Sequence, residues 1–149
     1  MTIRHRITLV NRETMTGMCQ VCGPQTPVID NQGRGTYDCR PARVLSNRLS
    51  KYSIRPSQYW ALWKLGSGSC HVCKQPFGPE VKDQIDHNHS CCPSRKSCGS
   101  CVRGLLCADC NLRLGVIESA WTRYGLSREN LPAEEVPFWD YAQRVIVWD

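Results

Sequence analysis

Two Cys-x-x-Cys pairs, Cys70–Cys73 and Cys107–Cys110, bracket an acid, a base and an amide: Asp86, His87 and Asn111, the last directly after the second pair. Four thiolates in two short pairs can hold one zinc tetrahedrally with no open position, so such an ion pins the chain rather than reacting. The chemistry then falls to the residues it positions. Asp86 and the side-chain carbonyl of Asn111 are oxygen donors suited to a hard cation, Mg2+ or Mn2+, that keeps several waters. Histidine, with an unperturbed pKa of about 6.5, serves as a neutral base near neutral pH. Acid, amide and base beside one cation can hydrolyse a phosphodiester, which needs a nucleophilic oxygen, charge neutralisation on the phosphate and a stabilised leaving oxygen. Taken singly, an Asp-His pair is usually a solvated turn and an asparagine after a cysteine usually a cap. Their order between two ligand pairs sets these three apart from such isolated residues.

Positioning these groups requires a strand and a helix. The spacing predicts a strand over 81–86 that delivers Asp86 and His87. A helix is expected to begin near Cys107, to carry Cys110 and Asn111, and to run to about residue 124. The zinc pairs flank this strand-loop-helix and would lock it. Between them, Cys91, Cys92, Cys98 and Cys101 crowd an insert over 90–102 and form a second candidate zinc site. Free thiols, or a site completed by His89 or by the N-terminal cysteines, are the alternatives. The core is expected over 67–125, after the linker Gly66-Ser67-Gly68-Ser69. Residues 126–149 are expected to hold a last helix, from Ala133 to about Val147, that closes the core or mediates a homodimer.

Residues 1–66 are read as a basic N-terminal DNA-binding region. Residues 1–16 look like a flexible arm. Residues 17–41 form a turn-rich unit in which Cys19, Cys22 and Cys39 offer a third candidate zinc site, a zinc ribbon whose fourth ligand is open between His5 and Asp38. Three free thiols are the alternative. A short basic helix or loop follows over 42–52. A helix over 53–65, capped by Ser53, turns Tyr59, Trp60, Leu62 and Trp63 toward the core, with stacking on DNA as the alternative for its aromatics.

The net charge of +6 is uneven: residues 1–66 hold 10 Lys/Arg against 3 Asp/Glu, and residues 67–149 hold 9 against 10. Basic residues Arg34, Arg40, Arg43, Arg48 and Lys51, interleaved with aromatics, form a footprint for a polyanion such as DNA. In a secreted chain 11 cysteines would read as disulfides, but the first ten residues have no apolar h-region. No run approaches a transmembrane span. Zinc in a cytoplasmic protein is the expectation, with no membrane partner.

These motifs resemble the recombination endonuclease VII family, a phage-associated branch of the HNH, or ββα-metal, nucleases. The resemblance covers roughly 68–117: Cys70-x-x-Cys73, Asp86-His87-x-His89, then Arg103-Gly104-Leu105-Leu106-Cys107-x-x-Cys110-Asn111 and Gly115. It implies a small zinc-stabilised α+β fold with a ββα-metal (His-Me finger) core. It also implies Mg2+- or Mn2+-dependent cutting of DNA, duplex or branched (Holliday junctions included), by a phage- or prophage-encoded protein in a bacterial host. Asp86 and Asn111 would be the catalytic metal ligands, His87 the general base, His89 a phosphate contact or support, and Arg103 a DNA-backbone contact. The founding resolvase has an acid shortly after its asparagine, whereas here Leu112-Arg113-Leu114 follow and the next acid is Glu118. Duplex nicking, homing, packaging-associated cutting, a non-catalytic zinc-dependent DNA-binding module and a zinc scaffold for protein partners are the competing readings.

Overall fold

The computed structural model describes residues 7–11, 16–19, 22–25, 28–29, 35–36 and 39–148. The chain divides into two compact units, 1–50 and 51–149.

In the first unit, β1 (Ile7–Asn11), β2 (Thr16–Cys19) and β3 (Gly23–Gln25) form an antiparallel sheet in that order. Residues 7–11 are therefore a strand and not the flexible arm expected there. The run Ile7-Thr8-Leu9-Val10 is rich in β-branched residues, whose propensity favours pairing. Gly23, with φ +77, makes the tight return from β2 to β3. A short pair, β4 (Val28–Ile29) and β5 (Gly35–Thr36), precedes helix α1 (Arg40–Lys51). Buried Cys19 and Cys39, with Cys22 and Ala42 packed on them, form the small apolar cluster of this unit.

In the second unit, α2 spans Pro56–Leu65. It starts later than Ser53 because Pro56 disfavours helical geometry in Arg55 and itself suits the first helical position. Arg55 is the N-cap, and Gln58 Oε1 accepts its backbone N–H at 2.8 Å. Ser53 instead has φ 54, and its hydroxyl donates to the Ser97 carbonyl at 2.8 Å. Tyr59 and Leu62 are buried as expected, but Trp60 is 55 % exposed.

Strands β6 (Gln84–His87) and β7 (Val102–Leu106) pair antiparallel, and α3 (Ala108–Tyr124) follows directly. Cys110, Leu114, Ile117 and Trp121 lie at helical spacing on the buried face of α3. They pack with Cys70, Leu106, Cys107, Phe138 and Tyr141 into the main core. Gly125, in left-handed geometry at φ 60, ends α3. The last helix, α4, spans only Val136–Ala142. Pro137 is tolerated only in a first turn, which rules out a start at Ala133. The β-branched run Val145-Ile146-Val147 does not extend the helix.

Gly104 is where β7 passes closest to its neighbours. A Cβ there would lie 2.5 Å from His71 Nδ1 and 3.0 Å from the Tyr141 hydroxyl. Gly104→Ala is expected to lower stability by about 1–3 kcal/mol through overpacking, read as a lower urea midpoint at unchanged slope and equal zinc loading. An unchanged midpoint would show that both side chains move aside freely.

Candidate active site and metal centres

Cys70 and Cys73 lie on the loop before β6. Cys107 is the N-cap of α3, and Cys110 is in its first turn. The four sulfurs lie within 4.8 Å of one another, with Cys73 and Cys107 Sγ 3.8 Å apart. A tetrahedral ion with bonds of about 2.3 Å places its sulfurs about 3.8 Å apart, so the group fits structural zinc. Burial opposes ionisation of Cys70, but the backbone N–H groups of Cys107, Val72 and Cys73 outweigh it and lower its pKa. Burial pushes Cys107 and Cys110 upward in the metal-free cluster. A bound cation would favour the thiolates of all four.

The same proximity holds for Cys91, Cys92, Cys98 and Cys101, and for the three sulfurs of Cys19, Cys22 and Cys39. Cys91 is pushed up to about 12 by its thiol neighbours, Cys98 first, whereas the Cys101 backbone N–H lowers Cys98 to about 6. Burial and then the Cys39 and Cys19 thiols push Cys22 up to about 12. His5 and Asp38, the fourth-ligand candidates there, lie outside the described residues.

A β-bulge shapes the centre between the zinc pairs. Asp86 pairs with Gly104 and His87 with Val102, so Arg103 is the extra residue on β7. Bulges re-aim side chains, and here the guanidinium meets the Asp86 carboxylate. Arg103 Nε donates to Asp86 Oδ2 at 2.8 Å, and Nη2 to Oδ1 at 3.3 Å. Its Nη1 and Nη2 also donate to Glu118, and Nη2 to the His87 carbonyl at 3.4 Å. Tyr141 donates its hydroxyl to Asp86 Oδ2 at 2.9 Å. Burial and then the Asp86 charge push Tyr141 well above its ordinary pKa, so it stays a donor. Burial would weaken the charge on Arg103, but Glu118 and Asp86 outweigh it. Every nitrogen of this guanidinium bonds inside the protein, and Arg103 is 2 % exposed. The structure therefore places Arg103 on two acids.

Asn111 and Glu118 are seven residues apart on α3 and share a face. Asn111 Nδ2 donates to Gln84 Oε1 at 2.7 Å, two residues before Asp86 on the same side of β6. In this arrangement the oxygen donors make only a partial site for a hard cation, because Asp86 Oδ2 is taken by two donors and Oδ1 by one. Both Asp86 oxygens are bonded, and the His, Cys, Asp or Glu groups that converge among the described residues are the three cysteine clusters. Asn111 Oδ1 is the one donor of the expected pair without a hydrogen bond to the described residues.

His87 is buried, its ring 4.4 Å from that of His89 and 5.7 Å from that of Tyr52, centroid to centroid. His87 Nε2 lies 3.0 Å from the Cys92 carbonyl and 3.2 Å from the Ser94 carbonyl. Two acceptors require that nitrogen to carry a proton, so in the neutral ring the lone pair is on Nδ1. His71 Nδ1 is the sealed, unpartnered side-chain nitrogen among the described residues, so Nδ1 of His87, which also has no bond, is not sealed off. His89 is exposed and lines a cleft of about 750 Å³ with Asn88, Arg103, Glu118 and Gly115.

Of the proposed DNA contacts, Arg43, Arg48 and Lys51 fall on one face of α1, whose sequence contains no acid. Only the backbone of Arg40 is described, and Arg34 lies outside the described residues. Tyr141, Glu118 and Gln84 escaped the sequence reading. Glu118, two turns beyond Asn111, was the one with a signal.

An acid-histidine strand and an asparagine-bearing helix, with cysteine clusters that fit zinc, describe a small α+β protein. A family model for recombination endonuclease VII matches residues 46–131, more than half of the chain, and the chain belongs to that family. Among curated proteins it is similar to the Gene 59 protein of Mycobacterium phage D29, 33 % identical over 63 residues that cover 42 % of this chain and 33 % of that protein. The Gene 59 protein of Mycobacterium phage L5 is 32 % identical over 63 residues, covering 42 % and 34 %. The chain thus spans about a third of the length of the curated relatives it matches. No solved structure matches. No helix among the described residues is long and apolar enough to cross a membrane.

Removing one partner of a buried ion pair leaves an uncompensated charge. Arg103→Ala is therefore expected to cost about 3–5 kcal/mol, measured by urea unfolding of zinc-loaded protein. Arg128→Ala, which breaks the exposed pair with Asp140, should leave the midpoint near wild type. Equal effects would mean that Asp86 gains no net stability from Arg103.

Proposed function

We propose that the chain is a DNA endonuclease that hydrolyses phosphodiester bonds, with His87 as the general base. The observation that carries this is the His87 geometry within a chain of the endonuclease VII family: two carbonyls hold the proton on Nε2, and the lone pair on Nδ1 stays open. In the proposed reaction Nδ1 accepts a proton from water. The water oxygen bonds to phosphorus, the bond to the leaving oxygen breaks, and that oxygen takes a proton from solvent. An HNH-type ββα-metal core is part of this reading, supported by the order β6, β7, α3. Mg2+ or Mn2+ belongs to it as the cation the family resemblance implies. With Asp86 Oδ2 taken by Arg103 and Tyr141, the arrangement offers such an ion Asn111 Oδ1 and the remaining lone pair of Asp86 Oδ1.

The substrate is proposed to be DNA held along the basic face of α1, so binding should weaken with salt. Branched DNA is favoured by the family name, and duplex nicking is the second reading, favoured by the absence of an acid in Leu112-Arg113-Leu114. A homodimer and a location in the cytoplasm of a phage's bacterial host complete the proposal.

His87→Ala is expected to reduce nicking of supercoiled plasmid, in Mg2+ or Mn2+, by about 100-fold or more, while a gel shift shows binding within a few-fold of wild type. Full cleavage by the variant would remove His87 as the base. Cleavage by wild type undiminished in excess chelator would remove the cation.

A further inference from the structure

The insert between β6 and β7 has no regular structure and little apolar packing, yet four of its thiols gather at one point. Cys91 and Cys98 Sγ are 3.9 Å apart, and Cys92 and Cys91 Sγ 4.0 Å. This is close to the spacing of about 3.8 Å that tetrahedral zinc imposes. No disulfide joins them, and two of the four are exposed, so burial does not account for the convergence. The cluster is also knit to the base. Cys92, one of the four, supplies the carbonyl that lies 3.0 Å from His87 Nε2, and Ser94, two residues on, supplies the one at 3.2 Å. Two further bonds close the loop at its root: Asn88 N–H donates to the Cys101 carbonyl at 2.9 Å, and Cys92 N–H to the Asn88 carbonyl at 3.0 Å.

We propose that Cys91, Cys92, Cys98 and Cys101 bind a structural zinc, separate from the one between Cys70 and Cys110, whose task is to position His87. By fixing residues 91–101 the ion holds the Cys92 and Ser94 carbonyls against Nε2. The ring is thereby kept in the tautomer that presents Nδ1 as the proton acceptor. A ring nitrogen's partner determines the role of its opposite nitrogen, and a loop held only by short-range turns would not keep two carbonyls in place. His87 is the reacting group and the insert cysteines are positioning residues. The catalytic part of the inference rests on the reading of His87 as the base. The zinc and the tautomer stand without it.

The test compares the full-length protein with its Cys91→Ser/Cys98→Ser variant. Native mass spectrometry counts zinc, and 15N–1H correlation of 15N-histidine-labelled protein in alkaline buffer reports the tautomer of each ring. The variant is expected to hold one zinc fewer. Its His87 should change from Nε2–H alone to an average of both tautomers, and DNA cleavage should fall roughly ten-fold to a hundred-fold at retained DNA binding. Equal zinc content in the two proteins overturns the site. Loss of a zinc with His87 still locked as Nε2–H overturns its positioning role. If the variant does not fold, stepwise chelation of wild type decides: a His87 tautomer change in step with release of one zinc, before unfolding, supports the proposal, and an unmoved His87 signal overturns it. A wild-type protein that cuts no DNA defeats the endonuclease reading alone, because the zinc count and the tautomer are read without substrate.

Discussion

Four sulfurs drawn from two places in the chain meet within 4.8 Å, and the geometry of the centre follows from that meeting. Cys70 and Cys73 come from the loop that precedes β6. Cys107 caps α3, and Cys110 lies one turn inside it. A zinc at this point ties the entrance of the strand pair to the start of the helix. The cluster also reaches the core, where Cys70, Cys107 and Cys110 pack against Leu106, Leu114 and Tyr141. A unit of this size has a small apolar core, so metal binding free energy here is in large part folding free energy.

A second constraint sits beside the first. Buried Asp86 and Arg103 and half-buried Glu118 form a run of alternating charge, with the Tyr141 hydroxyl as a further donor to Asp86. Such a group contributes little net stability over an apolar replacement, but it is costly to break at one end. Its consequence is geometric: it joins β6, β7, α3 and α4 and saturates Asp86 Oδ2, leaving Oδ1 with one bond. The acid that spacing alone would present to a cation thus holds the scaffold together in this structure, and His87 is the motif residue with an open nitrogen.

The cysteine clusters were legible because Cys-x-x-Cys spacing is local and brings thiols together in pairs. Asp86-His87 on a strand and Asn111 in the first turns of a helix were legible for the same reason, since each lies within a few residues of its positioning element. What escaped depends on tertiary detail. The bulge that turns Arg103 onto Asp86 is one extra residue in β7, and the periodicity of Val102–Leu106 does not reveal it. Glu118 and Tyr141 reach the centre from 15 and 55 residues away. Trp60 reads as a core residue by type, yet it falls on the outer side of α2 while Tyr59 and Leu62 fill the inner one. Pro137 was visible in the sequence and already fixed the late start of α4.

Metal held by Cys70, Cys73, Cys107 and Cys110 would order the strand pair and helix carrying Asp86, His87 and Asn111. The most direct measurement is backbone hydrogen exchange of the full chain while zinc is extracted by a chelator. The account predicts that protection across 84–87, 102–106 and the first turns of α3 is lost together, in step with departure of the last zinc. Protection that persisted in those segments after all metal had gone would contradict it.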